Sequence, residues 1–324
     1  MSVPGDPYLT IVVTGRNDDM GGDFNGRFFR ALRFNHAALV AAGVAHDIVF
    51  VEWSPISGKP LLAQLLAKEF PELAGDRLTS YVVDRRYHDA VSLNPRLKFQ
   101  EFIAKNVGVR HSRGRFVLTT NTDIYLGRKT VELLARQELL PRTLYRTVRI
   151  DLASHTDVSH LTWDVLEDTR NQEIVNEIRP PCYTNASGDF LLLDRDTWLE
   201  VRGFNEIYRV AKIHLDGNFC FKCHAAGFDL VDIEAPVYHV GAGTLHAMAP
   251  QYRDRPQLAP WGDIRWKANV VYDNPPGWGL GDAHVRADGS GIHYVDFDWA
   301  AVPPMIDLRR IVLPPARIGR AQPA

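Results

Sequence analysis

Short apolar runs alternate with helical stretches through the first 120 residues, and this alternation constrains the fold more than any other feature. Strand-like runs occupy 9–14, 47–52, 80–83 and 115–120. Helical patterns lie between them at 28–42, at 61–70, and from Asn94-Pro95, an N-cap followed by proline, to about 106–108. Strands that alternate with helices pair in parallel, so the order predicts a doubly wound, mostly parallel α/β sheet.

The second half continues the α/β pattern less regularly. Strands are predicted at 143–150, 189–193, 229–233 and 237–240, and helices at 194–201 and 214–226. The composition changes beyond residue 246, where ten of the twenty prolines and four of the seven tryptophans lie. Proline prevents long regular elements, so we expect 246–324 to wrap irregularly over the domain, with a loose end after about 315.

Composition narrows the function classes. The net charge of −2 excludes a nucleic-acid-binding footprint for the whole molecule. No apolar run of bilayer-spanning length and no secretory leader pattern is visible, so a soluble, cytoplasmic protein is expected. The three cysteines are too few for a disulfide framework. Cys220 and Cys223 form a C-x-x-C pair on a predicted helix, and we expect them to pack in the core.

Basic residues concentrate between Arg85 and Arg115, where eight lysines and arginines face only two acids, Asp89 and Glu101. Two interpretations remain open. The stretch is either a solvated helix face with its loops or a positive surface for an anionic substrate or phospholipid headgroups.

Polar residues follow each of the predicted N-terminal strands. Thr14, Gly15, Arg16 and Asn17 follow the first strand, Glu52 ends the second, Asp84 follows the third, and Asn121, Thr122 and Asp123 follow the fourth. Ligands of open α/β sheets bind at the carboxyl ends of the strands, and an acid that ends a second strand can accept hydrogen bonds from ribose hydroxyls. These residues are therefore predicted to bind a nucleotide.

One segment resembles a known family. Lys105-Asn106-Val107-Gly108, then an apolar strand, then Asn121-Thr122-Asp123, is similar to the core signature of family-2-type GT-A glycosyltransferases. In that family a helix ends in Arg/Lys-Asn-x-Gly, and the following strand leads to a D-x-D motif. The resemblance implies that Asn106 and the 121–123 triplet bind the nucleotide and that Asp123 ligates Mn²⁺ or Mg²⁺. Asn121 replaces the first aspartate, and we expect this to weaken metal binding.

The later blocks resemble the acceptor half of the same family. They comprise Gly188-Asp189, Gly203-Phe204-Asn205-Glu206, a helix start that keeps Asp216 but has Leu215 for its acidic partner, and Tyr238-His239-Val240-Gly241. The resemblance implies a GT-A domain at 8–245, with a nucleotide-binding half at 8–127 and an acceptor half at 143–245. It also implies acceptor contacts at Gly188 and Asp189 and metal ligation by His239.

These matches predict a metal-dependent glycosyltransferase of the hexosyltransferase type. It would move a sugar from a nucleoside diphosphate to a hydroxyl acceptor, with Mn²⁺ or Mg²⁺ neutralising the leaving diphosphate. Asp216 is the predicted base, and a single base opposite the leaving group implies inversion. The basic stretch leaves room for an anionic or lipid-linked acceptor and for peripheral membrane contact.

Other interpretations stay open at this point. A sugar-1-phosphate nucleotidyltransferase shares this architecture, although the first loop lacks the required glycine-rich spacing. The replacements at Asn121 and Leu215 also suit a catalytically degenerate binding protein. Asp216 could act as a helix N-cap, and His239 could be a core histidine.

Overall fold

The structure is a computed structural model, and it describes residues 5–18, 22–73, 77–92, 97–206, 214–240 and 274–296. Within these ranges the chain forms a mixed α/β fold, which confirms the predicted class. The strands are β1 Leu9–Gly15, β2 His46–Trp53, β3 Leu78–Val83, β4 Phe116–Thr119, β5 Ile124–Leu126, β6 Thr143–Arg146, β7 Arg149–Leu152, β8 Gln172–Asn176, β9 Leu191–Asp194, β10 Asp229–Asp232, β11 Val237–His239, β12 His284–Ala287 and β13 Ile292–Asp296. The helices are α1 Phe24–Ala41, α2 Leu62–Glu69, α3 Arg85–Val91, α4 Glu101–Arg110, α5 Arg128–Arg136, α6 Trp163–Glu167, α7 Arg195–Glu200 and α8 Leu215–Ala225.

The large sheet has the strand order β10-β6-β9-β4-β1-β2-β3-β13-β12. β1 pairs in parallel with β2 on one side and with β4 on the other. The chain therefore reverses its direction of winding at β1, which makes the ends of β1 and β4 a topological switch point, where open sheets bind ligands. Beyond β4 the sheet becomes mixed, because β9 lies antiparallel to both β4 and β6.

Helices cover both faces of this sheet. On one face α1, α2 and α5 bury side chains such as Phe28, Leu66 and Leu134 in one apolar cluster. On the other face α4, α7 and α8 bury Val107, Trp198 and Phe219 in a second cluster. Cys182, Cys220 and Cys223 belong to that second cluster as buried free thiols, so the predicted core role of the C-x-x-C pair is confirmed.

A small sheet of order β5-β11-β7-β8 lies after the switch point. β11 pairs antiparallel with β5 and parallel with β7. The predicted strand at 143–150 is wrong as a single element, because the chain leaves the large sheet after β6 and enters the small sheet as β7. Thr147 lies at this crossing, where its buried hydroxyl donates to the carbonyl of Ala235.

Helix α4 differs from its prediction at both ends. Asn94-Pro95, the predicted start, lies outside the described residues, and the helix begins only at Glu101. It also continues through Gly108 to Arg110 instead of ending there. A Cβ at position 108 would clash with Cγ1 of Val12. This glycine therefore lets α4 approach β1 closely, and it does not terminate the helix.

The described part of the C-terminal segment, 274–296, adds β13 in parallel to β3 and β12 antiparallel to β13. The sequence predicted an irregular wrap here and no strands. Asn274 and Trp278 hold the start of this segment against the domain, through bonds to Arg202 and Phe204 and through burial beside α4. Among the described residues, no helix has the length and apolar character needed to cross a bilayer.

Candidate active site

Asp123 and His239 face each other at the start of the small sheet. Asp123 follows the short turn after β4, and the register of β5 with β11 places His239 opposite Ile124. The amide of Val240 donates to the carbonyl of Asp123 over 3.2 Å. As a result, Oδ2 of Asp123 lies 3.5 Å from Nε2 of His239. The structure thus brings together the two predicted metal ligands.

Asp151 holds the other side of the His239 ring. The parallel pairing of β11 with β7 sets His239 beside Asp151, and His239 Nδ1 lies 3.0 Å from Asp151 Oδ1. A carboxylate on Nδ1 fixes the imidazole tautomer and leaves Nε2 directed at Asp123, as is common behind metal-bound histidines. Sequence analysis assigned no role to Asp151, because its partner strand could not be inferred from local pattern.

Charges in this cluster are strongly coupled. Burial alone lowers the pKa of His239, but its hydrogen bonds with Asp123 and Asp151 outweigh burial and raise that pKa to about 10. Burial raises the pKa of Asp123, but the interaction with His239 and the charge of Arg27 hold it below its usual value. Arg27 Nη1 donates to Asp123 Oδ2 over 3.0 Å. Arg27 therefore adds a cation next to Asp123 that the sequence did not predict.

The Asp123–His239 pair fits a divalent cation. Asp123 Oδ2 and His239 Nε2 lie 3.5 Å apart, close enough for both to contact one ion. Carboxylate and imidazole donors suit Mn²⁺ or Mg²⁺. Within the described ranges no group of three His, Cys, Asp or Glu could hold a metal.

Asn121 lies between a buried lysine and a buried carboxylate. Its Oδ1 accepts from Lys105 Nζ over 2.7 Å, and its Nδ2 donates to Asp189 Oδ1 over 2.6 Å. Lys105 is fully buried, and it also donates to Glu101 and to the carbonyl of Gly188. Both polar atoms of the Asn121 amide are therefore engaged within the protein, in a role that an aspartate could not fill.

Asp189 is buried, and its carboxylate is paired on both oxygens. Arg149 Nη1 donates to Asp189 Oδ2 over 2.6 Å, and Arg149 also bridges to Asp151. Asp189 was predicted to contact the acceptor directly. The structure instead gives it a role inside the site wall, where it joins Asn121 to Arg149.

Asp216 lies in the first turn of α8 and is partly exposed. Its Oδ2 accepts from the Gly188 amide over 2.7 Å. Its second oxygen accepts no hydrogen bond from the described residues and is available to a hydroxyl group. Gly188 thus orients Asp216 through its backbone.

A path of hydrogen bonds and ion pairs joins the Asp123–His239 pair to Asp216. We call this path the site network. It runs from Asp123 through His239, Asp151, Arg149, Asp189, Asn121, Lys105 and Gly188 to Asp216.

The loop before Gly188 is held by Arg146, a residue that sequence analysis missed. Arg146 is fully buried, and it donates to the carbonyls of Tyr183, Asn185 and Phe190. An arginine at the end of a strand gave no signal of this role, because the loop that it binds comes much later in the chain.

Residues after β1 lie at the same edge of the sheet, but most of their polar atoms bind the protein. Asn17 exchanges hydrogen bonds with Ile56 and donates to the Pro60 carbonyl. Arg16 donates to the Ser54 carbonyl and pairs with Asp18. These side chains fix the loop after β2 at the edge where Thr14 and Gly15 end β1 and where Thr122 is buried.

Two predicted nucleotide contacts, Glu52 and Asn106, are corrected because both are fully buried, and a third, Asp84, stays a prediction. Glu52 is fully buried and accepts from the amide of Ala63 at the start of α2, so it does not face a ribose site. Asn106 is fully buried and bonds to Phe204 and Glu206, so it holds the 203–206 turn. Asp84 is partly exposed and caps α3 through the amide of Arg86.

Three members of the basic stretch are paired within the described residues. Lys105 is buried beside Glu101, Arg85 pairs with Asp89, and Arg113 pairs with Asp47. A positive surface for an anionic or lipid-linked acceptor stays a prediction.

Comparisons with known proteins are distant. No family model matches the chain, and no curated protein matches it. The structure is similar to a crystal structure of GalNAc-T7 with UDP, GalNAc and Mn²⁺, at a TM-score of 0.48 and 10% identity, covering 82% of this chain and 50% of that one. It is also similar to the catalytic domain of Drosophila beta1,4galactosyltransferase 7 in complex with xylobiose, at a TM-score of 0.45 and 11% identity, covering 93% and 95%. S. aureus TarS, residues 1–349, gives a TM-score of 0.42 and 13% identity, covering 84% and 68%.

The chain thus spans half of the first of these neighbours. The second neighbour is named as a galactosyltransferase. At these TM-scores the likeness is too distant to support an inference about activity. The function therefore rests on the geometry of the site.

Proposed function

We propose that this chain is a metal-dependent glycosyltransferase that moves a sugar from a nucleoside diphosphate to a hydroxyl acceptor. One observation carries the proposal. The Asp123–His239 pair lies at the switch point of the large sheet, and the site network joins it to the partly exposed carboxylate of Asp216. This transfer needs a cation-binding pair and a base, and the site network connects the two.

Asp123 and His239 would hold Mn²⁺ or Mg²⁺, which supplies charge neutralisation to the departing diphosphate. Asp151 accepts the Nδ1 proton of His239, and Nε2 would offer its lone pair to the cation once the cation displaces the Nε2 proton. Arg27 lies 3.0 Å from Asp123 and is placed to donate hydrogen bonds to a phosphate oxygen. The cation and the Arg27 guanidinium would thus both lie beside the leaving diphosphate.

Asp216 would accept the proton of the acceptor hydroxyl as the bond to the sugar forms. Asp216 lies in the first turn of α8. The Gly188 amide orients one oxygen and leaves the other for the acceptor. Attack assisted by one base, opposite the leaving diphosphate, gives inversion at the anomeric carbon.

The engagement of Asn121 supports an active enzyme over a degenerate binding protein. The amide at 121 is matched to Lys105 and Asp189, so the missing aspartate has a structural reason. No observation in the described residues favours a nucleotidyltransferase, and the side chains of Arg16 and Asn17 bind the loop after β2.

The test is turnover of UDP-, GDP- and TDP-sugars with Mn²⁺, with hydrolysis counted as well as transfer. Asp123→Asn, His239→Ala and Asp216→Asn are compared with the wild type. Glu138→Gln is the matched control, because Glu138 is exposed and precedes β6 at the opposite edge of the sheet. We expect each site variant to lose at least about tenfold in rate, which is about 1.4 kcal/mol of barrier, and the control to lose nothing. Equal rates in all four variants would refute the site, and pyrophosphate release from UTP and a sugar phosphate would favour the nucleotidyltransferase.

A further inference from the structure

Position 121 needs a side chain that accepts a hydrogen bond from Lys105 and donates one to Asp189. Lys105 Nζ is a donor without acceptor capacity, and the Asp189 carboxylate is an acceptor without a proton. One side-chain atom of residue 121 must therefore accept and the other must donate. Asn121 does both, at 2.7 Å to Lys105 and 2.6 Å to Asp189. These two partners also fix the orientation of the amide, so oxygen and nitrogen are not interchangeable.

The charges around position 121 disfavour a second ionised carboxylate there. Asp189 is already committed to Arg149 on its other oxygen, over 2.6 Å. Lys105 is already neutralised by Glu101 at 3.0 Å. An ionised aspartate at 121 would bring two anionic oxygens into contact at a half-buried position, with the nearby cations already paired.

Asn121 also lies where the two halves of the site meet. Its neighbour Thr120 donates to the carbonyl of Asp189 over 2.7 Å. Lys105 donates to the carbonyl of Gly188, whose amide in turn holds Asp216. The turn that carries Asp123 is thereby tied to the turn that orients Asp216.

We propose that Asn121 is a positioning residue, whose amide links Lys105 to Asp189 and so fixes Asp123 relative to Asp216; this rests on the proposed function. Asn121 is then not a weakened metal ligand, and restoring an aspartate at this position harms the enzyme. A metal-ligand role predicts the opposite outcome, tighter Mn²⁺ binding and a faster reaction.

The experiment is a double-mutant cycle with Asn121→Asp, Asp189→Asn and the reciprocal exchange of both. In the exchange, the carboxylate introduced at position 121 accepts from Lys105 and from the amide introduced at position 189, whose oxygen in turn accepts from Arg149. We expect each single variant to lower kcat at least tenfold, with half-saturation by Mn²⁺ unchanged within about threefold. We expect the exchange to recover kcat to within about threefold of the wild type. A faster Asn121→Asp enzyme, tighter Mn²⁺ dependence, or an exchange no better than the single variants would overturn the proposal.

Thermal unfolding without substrate separates this proposal from the function on which it rests. Both single variants should have a lower Tm than the wild type, and the exchange should recover most of the loss. Recovery of Tm in an enzyme that turns over no sugar nucleotide would leave the link intact and refute the glycosyltransferase. Additive losses of Tm in the exchange would refute the link, whatever the activity.

Discussion

Glu52 offers a quantitative prediction, because it is a carboxyl group buried at the end of β2. Burial raises its pKa from 4.5 to about 7, and the amides of Ala63 and Leu62 offset only part of that effect. Its Oε1 has no hydrogen-bond partner within the described structure. The folded protein therefore binds a proton at Glu52 that the unfolded chain has released between pH 4.5 and 7.

The direction in which the free energy of unfolding changes with pH follows from the number of protons that each state binds. Where the folded state binds more protons than the unfolded state, the free energy of unfolding falls as pH rises. The contribution of Glu52 is thus fully present below about pH 4.5, declines across that window, and is lost above about pH 7. A shift of about 2.5 pKa units at about 1.4 kcal/mol per unit corresponds to roughly 3 kcal/mol.

Glu52→Gln removes the titration and keeps an oxygen for the Ala63 amide. We expect the free energy of unfolding of the variant, minus that of the wild type, to rise by about 3 kcal/mol between pH 4.5 and pH 8. Urea denaturation at closely spaced pH values measures this difference. A difference that stays constant with pH would refute the reasoning.

The same variant separates two roles of Glu52. A ribose ligand would raise the KM of the donor when its charge is removed, whereas a buried group at the start of α2 leaves that KM unchanged. We expect a donor KM within about twofold of the wild type at pH 7.5, and a rise above about tenfold would restore the ribose role.

Three further predictions concern the site and its support. Asp151→Asn should weaken Mn²⁺ binding by about 10- to 100-fold, because it weakens the hydrogen bond that orients the His239 ring. Calorimetric titration with Mn²⁺ and UDP or GDP measures this affinity, and an unchanged value would contradict the role of Asp151. Gly108→Ala should destabilise the fold by about 1–3 kcal/mol in urea, because the new methyl group meets Val12, and a neutral effect would contradict the close approach of α4 to β1. Asn106→Ala should lower the free energy of unfolding by about 2–3 kcal/mol, because it removes hydrogen bonds to the 203–206 turn, and it should leave the donor KM of the folded enzyme unchanged. A stable variant with a raised KM would return Asn106 to the nucleotide site.

The sequence predicted those parts of the fold that local pattern determines. The runs that form β1 to β4 are apolar and short, and the structure confirms each within two residues. The polar residues that follow them therefore fell at the correct edge of the sheet. The resemblance added Asp123 and His239, which lie far apart in the sequence and are brought together by strand pairing.

The direction of each side chain was harder to predict. Lys105 and Asn106 are neighbours in α4, and consecutive helical residues point about 100° apart. Lys105 consequently faces Asn121 in the site, while Asn106 faces the 203–206 turn. The motif identified the helix that reaches the candidate site, but the predicted contact was Asn106, whereas Lys105 faces that site.

The remaining site residues could not be predicted from the sequence, because their roles depend on long-range strand pairing. Asp151 and Arg149 acquire their roles only because the chain leaves the large sheet after β6 and pairs as β7 with β11. Nothing in the local sequence at 143–152 marks that crossing. Arg146 likewise binds carbonyls of a loop that follows much later in the chain.

The central claim is that Asp123 and His239 together hold a divalent cation beside a nucleoside diphosphate. The loss of the free Mn²⁺ signal in electron paramagnetic resonance, with UDP or GDP present, tests it directly. We predict that the wild type and Glu138→Gln bind one Mn²⁺ per chain, and that Asp123→Asn and His239→Ala each weaken this binding at least tenfold. Equal Mn²⁺ binding by all four proteins would contradict the claim.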